Sequence, residues 1–526
     1  MQRWNDQRTQ QIRRAQETEW DAIVVGGGIT GAGIFQLCSE LGLKVILLEK
    51  QDFAWGTSSK SSKMVHGGLR YLASGDFRLA NDAVKERQRL MKSLEGQVDP
   101  LPFVMGHYRS EFPPDWAFNA LLTLYDGMAG QVLHKKYPAG EAPFWVPGMR
   151  TEGLHSFTRF QDAVTDDARL TLNVIRSGLG DEAIALHYCA VEQVRRDGEG
   201  QVKGTTCRDR LSGDSFELSG RVVINATGAW TDQLRQRSEG QPDIRPLRGS
   251  HLVFPSWRVP VAMSISYLHP RDKRPVFVFP WEGVTVAGTT DLDHCLTDKD
   301  ASITEEEVSY LLEGLNHILP SAQLSHGDVL STWAGVRPVV SQGKGLAPSK
   351  ERREHTLWNE NGLVSVAGGK LTTFRLIAAD VLEAASYALP VEPDAIRQWR
   401  RSLSNTASHP SRVSLTGRQK RWLGRYGEDA MRWLEAHPGT PIPGTRYWTG
   451  ELGWILSYEP VAHLDDLLLR RTRLGNILPG GGASLLEAVR ALCETHLGWA
   501  DTRWEAEKSR YLAIIDQYFS LPERLK

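Results

Sequence analysis

Short apolar runs alternate with helical periodicities along most of the chain. Asp21-Ala22-Ile23-Val24-Val25 is continuous enough to predict a strand buried on both faces, as parallel strands are. Ala32 to Leu41 has the spacing of a helix and stops at Gly42, and Lys44-Val45-Ile46-Leu47-Leu48 predicts a second buried strand. Helices are expected over Phe77–Leu94 and Trp116–Leu133, and again from Asp166-Asp167 onward. The two carboxylates there suit a helix N-terminus, and capping with domain packing is the preferred reading. Val191 to Leu218 alternates apolar with polar, as antiparallel strands do. Val222 to Ile224, Gly249 to Phe254, Val276 to Pro280, Val284 to Asp291 and Leu363 to Ala367 read as further strands. Glu305–Leu319 is a predicted helix with Thr304 as cap, and another spans Leu376–Tyr387. Trp333 to Pro338 is expected to form a tight turn carrying Arg337.

At 526 residues the chain exceeds one core and should divide into domains. Residues 1–19 are a polar extension. Residues 20–390 carry the strand-rich part, with 76–165 and 241–330 assigned to a second, interleaved domain. Residues 391–411 read as a linker and 412–526 as a helical domain rich in tryptophan. The net charge of −1 gives no reason to expect nucleic acid, so an anionic substrate must be met by local cations. The five cysteines are scattered without a C-x-x-C pair, which argues against a zinc site or a disulfide framework. No metal is expected. Neither a signal sequence nor a membrane-spanning run is read. The expected location is the cytoplasm, including the cytoplasmic face of a membrane. The basic, aromatic stretch Arg418 to Tyr426 is the expected contact with that surface, through Lys420, Arg421 and Arg425.

The strongest chemical signal joins the first two strands. Gly26-Gly27-Gly28-Ile29-Thr30-Gly31 fits G-x-G-x-x-G between strand and helix, and Glu49 follows the second strand. Gly26 permits the turn, Gly28 lets a pyrophosphate approach, and Gly31 lets helix and strand pack. The helix N-terminus faces the phosphates, while Glu49 suits a ribose and repels a 2′-phosphate. The hydroxyl-rich, glycine-bracketed run Thr57 to Tyr71 can then lie against a flat ring.

In that run, Ser61-Ser62-Lys63-Met64-Val65-His66-Gly67-Gly68-Leu69-Arg70-Tyr71-Leu72 resembles the FAD-dependent glycerol-3-phosphate dehydrogenases and oxidases, within the glycine oxidase and D-amino-acid oxidase superfamily. Gly-Thr-Thr-Asp at 288–291, Gly-Val-Arg-Pro at 335–338, Gly-Gly-Lys-Leu-Thr-Thr at 368–373 and Ala462 to Thr472 extend the resemblance. It implies an α/β plus α+β protein: a Rossmann-like FAD-binding domain, an interleaved antiparallel-sheet substrate domain and a C-terminal α-helical domain. The implied reaction takes sn-glycerol 3-phosphate to dihydroxyacetone phosphate, with hydride passing from C2 to flavin N5 and electrons onward to a quinone. A homo-oligomer is compatible with it.

The FAD residues so implied are Gly26, Gly28, Ile29, Thr30, Gly31, Glu49, Thr57, Ser58, Ser62, His66, Gly67, Gly68, Ala226, Thr227, Gly228, Gly369, Lys370, Leu371 and Thr372. Tyr71, Arg337, Arg353 and Lys370 are substrate candidates, and the local sequence around Arg353 departs from the family pattern. His66, His251, Arg337 and Lys370 are the catalytic candidates, with the two histidines competing as base. Other readings stay open: a flavin oxidase of another hydroxy acid or an amine using oxygen, and a non-catalytic FAD-bound scaffold. An amino acid needs one cation for its carboxylate, whereas a phosphate invites several.

Overall fold

The structure, a computed structural model, describes residues 8–73, 75–109, 111–235, 243–296, 300–341, 354–403 and 415–526. In chain order the strands are β1 (Glu19–Val25), β2 (Val45–Leu48), β3 (Met64–Val65), β4 (Val98–Tyr108), β5 (Lys135–Pro138), β6 (Leu154–Thr165), β7 (Ala183–Leu186), β8 (Cys189–Arg196) and β9 (Val202–Asp209). They continue with β10 (Ser215–Asn225), β11 (Ile244–Pro255), β12 (Ser264–Leu268), β13 (Pro275–Trp281), β14 (Val284–Gly288), β15 (Leu292–Asp293), β16 (Ser331–Val340), β17 (Thr356–Glu360) and β18 (Leu363–Ala367).

The first sheet runs β17-β18-β10-β1-β2-β7, with β1 parallel to both β10 and β2. The two faces of β1 separate by the period of two. Ala22 and Val24 enter a core with the helices Ile29–Glu40, Asp167–Gly178 and Phe374–Ala385. Ile23 and Val25 enter another with Leu218 and Cys207, closed by the antiparallel β8–β9–β10 unit. The polar N-terminal extension holds the helix Arg8–Glu17, which buries Ala15 and pairs Arg8 with Asp209 at 2.8 Å.

The second sheet runs β15-β11-β14-β13-β12-β4-β6-β3, with β16 on β11 and β5 on β6. It draws β3 and β16 from outside residues 76–165 and 241–330. The helix Glu305–Ile318 covers one face. Thr304 Oγ1 and the Glu307 carboxylate cap that helix reciprocally, so the capping reading holds.

Three expectations are corrected. Arg337 lies inside β16, not on a tight turn, and β16 pairs with β11 from Ile244↔Val340 to Val253↔Ser331. That long-range ladder overrides the local glycine and proline signals, and Pro338 is tolerated because β16 pairs on one side only. Within the expected linker, Pro393–Ser402 is a helix with proline in its first turn and Ile396 buried. Finally, the 418–426 stretch turns Arg421 and Arg425 inward, while Lys420 is half-buried and Arg418 stays exposed. Arg425 donates to Glu282 at 2.7 Å and to Tyr447 at 2.9 Å, Arg421 pairs with Glu282, and Lys420 bonds Glu95 at 2.7 Å. Trp422 and Tyr426 are buried in a cluster that joins the C-terminal helices to Trp281 and Trp333 of the second sheet. An amphipathic pattern shows that a face is basic, not whether lipid or protein carboxylates meet it. Among the described residues no helix is long and apolar enough to cross a membrane.

Candidate active site

Strands β1, β2, β10 and β18 are mutually parallel, so their carboxyl ends share one edge. Ligands of such sheets bind at this edge where the strand order reverses, here between β1 and β10. Gly26 turns off β1 at φ +112°, and a side chain there would strike the Ala226 carbonyl at 2.5 Å. At Gly31 a Cβ would lie 1.9 Å from the Gly26 carbonyl oxygen, which explains the third glycine. Gly28 differs, because its Cβ would meet only the Ser58 Oγ, at 3.1 Å. The space above Gly28 is a cradle at the N-terminus of the helix Ile29–Glu40, where Ile29 N donates to Ser58 Oγ at 2.9 Å. Thr30 and Gly31 lie in that first turn. Glu49 accepts from Gly27 N at 2.7 Å and Gln51 N at 2.8 Å, bracing the turn. Burial pushes its carboxyl above the ordinary range. Across the edge, Thr227 Oγ1 donates to Asn225 at 2.7 Å and Gly228 turns at φ +62° with open space beside it.

The segment 57–71 crosses from this edge to the second sheet. Thr57 donates to the Val336 carbonyl of β16. Ser62 Oγ and His251 Nε2 share a hydrogen bond. The backbone N–H of His66 donates to Thr372 Oγ1 at 3.2 Å, and that hydroxyl donates to the His66 carbonyl at 3.1 Å. Gly68 has φ +74°, and a Cβ there would lie 2.9 Å from Lys370 Nζ. The Lys370 ammonium sits 3.4 Å above the Tyr71 ring. Gly369 turns at φ +80° into the short helical turn Leu371–Thr373. His66, Gly67, Gly68, Tyr71, Lys370 and Thr372 are therefore one group.

A second group forms on β11 and β16. His251 is buried and stacks on Trp333 with ring centroids 5.2 Å apart. Burial, then the nearby Arg337 and Lys63 charges, hold its imidazole well below the ordinary value, so it is neutral. Arg337 donates to Asp291 at 2.9 Å, to the Thr290 carbonyl and to Thr289 Oγ1. Arg353 lies outside the described residues.

The sequence reading missed the supports of the segment. Gly67 N donates to Tyr125 Oη at 2.8 Å, and Tyr125 donates to Asp162 at 2.6 Å. Arg87 pairs with the same carboxylate. A signal existed: Arg87 lies on the buried stripe Ala80, Ala83, Val84, Leu90 of the helix Phe77–Ser93, where a charge needs a partner. Asp52, His187 and Asp466 bring three ligand-type atoms together. The two guanidiniums of Arg470 and Arg471 already occupy Asp52, and Arg470 also takes Asp466, so their charge opposes a cation there.

A glycine cradle at the carboxyl edge of a doubly wound sheet, facing a second, largely antiparallel sheet, defines a dinucleotide-binding protein. The family described as FAD dependent oxidoreductase matches residues 21–375, and the C-terminal domain of alpha-glycerophosphate oxidase matches 397–504. Glycerol-3-phosphate dehydrogenase 2 of Mycobacterium tuberculosis is 32% identical over 536 residues, covering 97% of this chain and 90% of that one. Aerobic glycerol-3-phosphate dehydrogenase of Staphylococcus haemolyticus is 32% identical over 390 residues, covering 72% of this chain and 69% of that one. The solved glycerol-3-phosphate dehydrogenase of Bacillus halodurans, complexed with FAD, gives a TM-score of 0.72 at 25% identity, over 97% of this chain and 96% of that one. The chain belongs to the FAD-dependent glycerol-3-phosphate dehydrogenase family. The residues present fit that cofactor, since the place a side chain would fill at Gly28 is left open to a pyrophosphate.

Proposed function

We propose that the protein oxidises the C2 hydroxyl of sn-glycerol 3-phosphate to the ketone of dihydroxyacetone phosphate. The observation that carries this reading is the pairing of two cations with a neutral buried imidazole around one segment. Lys370 lies against Tyr71, and Arg337 lies near enough to His251, itself bonded to Ser62, to depress its basicity. When bound, FAD supplies the two-electron acceptor for the hydride leaving C2. Gly26, Gly28, Gly31 and Glu49 would hold its phosphates and ribose. Arg337 and Lys370 meet the phosphate dianion and the negative charge that reduction creates. His251 is one candidate base: in the tautomer whose Nε2–H donates to Ser62 Oγ, Nδ1, which has no hydrogen-bond partner among the described residues, is the nitrogen that would take the hydroxyl proton. His66 is the second candidate. The acceptor proposed for the return of electrons is a membrane quinone, with the protein resting on the cytoplasmic face of the bilayer.

Anaerobic titration of the holoenzyme with glycerol 3-phosphate, lactate and glycine tests the proposal. Glycerol 3-phosphate alone should bleach the flavin. Bleaching by lactate or glycine instead would assign another substrate, and no bleaching by any of them would leave a scaffold. Reoxidation by a soluble quinone should outpace reoxidation by oxygen.

A further inference from the structure

Arg473 lies outside residues 21–375, in the C-terminal helical part, yet it is buried against the segment that follows the glycine turn. Its Nε donates to Asp166 at 2.9 Å, and one terminal nitrogen donates to the carbonyls of Ser59 at 3.2 Å and Leu469 at 2.7 Å. The other terminal nitrogen pairs with Asp166 at 2.8 Å and with Asp167. Asp167 is not an end point. It accepts from Ser61 N at 3.0 Å, from Ser61 Oγ at 2.7 Å and from Lys63 Nζ at 2.9 Å. Lys63 also donates to the Ser59 carbonyl and holds a left-handed backbone at φ +59°, which a lysine adopts only where its surroundings fix it.

The flanking residues bear on the site. Ser58 Oγ accepts from Ile29 N at the mouth of the cradle, and Ser62 Oγ meets His251. Between them lie only Ser59, Lys60 and Ser61. Fixing Ser59 and Ser61 from behind therefore fixes the direction of both flanking hydroxyls. An arginine that only joined domains would need one carboxylate across the interface. Arg169 does just that, donating to Glu459 at 2.7 Å from an equally buried position.

We infer that Arg473 is a positioning residue for the cofactor-side segment, so that the C-terminal helical part completes a site whose contacting residues all lie between 26 and 372. The inference rests on the proposal that residues 57–66 lie against FAD. It explains why one guanidinium takes a main-chain carbonyl, Ser59, as well as two carboxylates.

The test compares Arg473→Lys with Arg169→Lys in the purified holoenzyme. Each keeps the charge and loses the fork. Three quantities are read: thermal unfolding, FAD release followed by the rise in flavin fluorescence, and hydrogen exchange of a peptide spanning 57–66. Arg473→Lys should release FAD about tenfold faster or more, the scale of a lost charge-assisted bond, and should raise exchange in 57–66. Arg169→Lys, at a similar loss of thermal stability, should leave both within about twofold. Ser61→Ala removes one hydroxyl from Asp167 and should speed release about threefold with unfolding unchanged. It carries the test if Arg473→Lys does not fold. Equal release and equal exchange in the two arginine variants, or no effect of Ser61→Ala where it carries the test, would overturn the inference. Wild-type protein that holds no FAD would overturn the cofactor reading alone, and the exchange comparison would still decide on Arg473.

Discussion

Arg337 and Asp291 form an ion pair of 2.9 Å that lays the guanidinium flat against β11, at the point where Gly249 has no side chain. A Cβ at Gly249 would meet the guanidinium at 2.3 Å. The arginine is thus aimed by an acid on one side and by a missing side chain on the other. Its charge is fixed in place before any substrate arrives, which removes an ordering cost at binding.

Arg337→Ala should therefore separate phosphate recognition from oxidation. A charge-assisted bond is worth roughly 1.5–3 kcal/mol, so kcat/KM for glycerol 3-phosphate should fall about tenfold to hundredfold. Oxidation of glycerol at high concentration should fall much less. Equal losses on both substrates would show that Arg337 serves the fold or the cofactor instead.

Gly28→Val should give a folded protein without FAD. The backbone at Gly28, φ −80° and ψ 178°, suits any residue, and only Ser58 Oγ stands near the new Cβ. The side chain would fill the place of the pyrophosphate. Far-ultraviolet circular dichroism should be unchanged and the visible flavin bands lost. A yellow variant would refute the cradle.

Acid stability should depend on His187. This imidazole is buried with neither ring nitrogen bonded among the described residues, and burial, chiefly, lowers its pKa to about 3. The folded protein refuses a proton that the unfolded chain accepts near pH 6.5. Stability from this residue is complete above that value and is lost as pH falls toward 3, at up to about 1.4 kcal/mol per pH unit. His187→Phe should flatten the dependence of the melting temperature on pH between 4 and 6. A variant with the wild-type slope would place the acid sensitivity elsewhere.

Arg425→Ser should unfold the protein more easily without loosening it from lipid. The substitution leaves Glu282 and Asp166 buried with one cation fewer, a loss of about 3–5 kcal/mol. Thermal unfolding should occur at lower temperature, while sedimentation with anionic vesicles should match wild type. Weaker vesicle binding at unchanged stability would restore this stretch as a membrane contact.

The sequence made visible those features whose cause is local. The strand, glycine turn, helix and acid of residues 21–49 follow from neighbours within a few turns of chain, and so does the Thr304–Glu307 cap. Features whose cause lies far along the chain stayed hidden. β16 is a strand because β11 supplies a ladder from far back along the chain, pairing Ile244 with Val340 and Val253 with Ser331, against its own turn-forming residues. Pro393 reads equally as a breaker or as the first residue of a helix, and Ile396 in the core decides for the helix. The Lys63–Asp167–Arg473 contacts span more than three hundred residues, and no periodicity announces them.

The chain passes from the first sheet to the second between β2 and β3, returns between β6 and β7, leaves again before β11 and comes back at β17. This interleaving sets an order for biosynthesis. β1 gains its second neighbour only when β10, ending at Asn225, has been made, and β10 waits for β18 at Leu363–Ala367. Until then the growing chain carries bare parallel edges, a hazard during translation. The glycine turn at residues 26–31 is made well before β10 and β18, and it becomes able to grip a nucleotide only once they have joined its sheet.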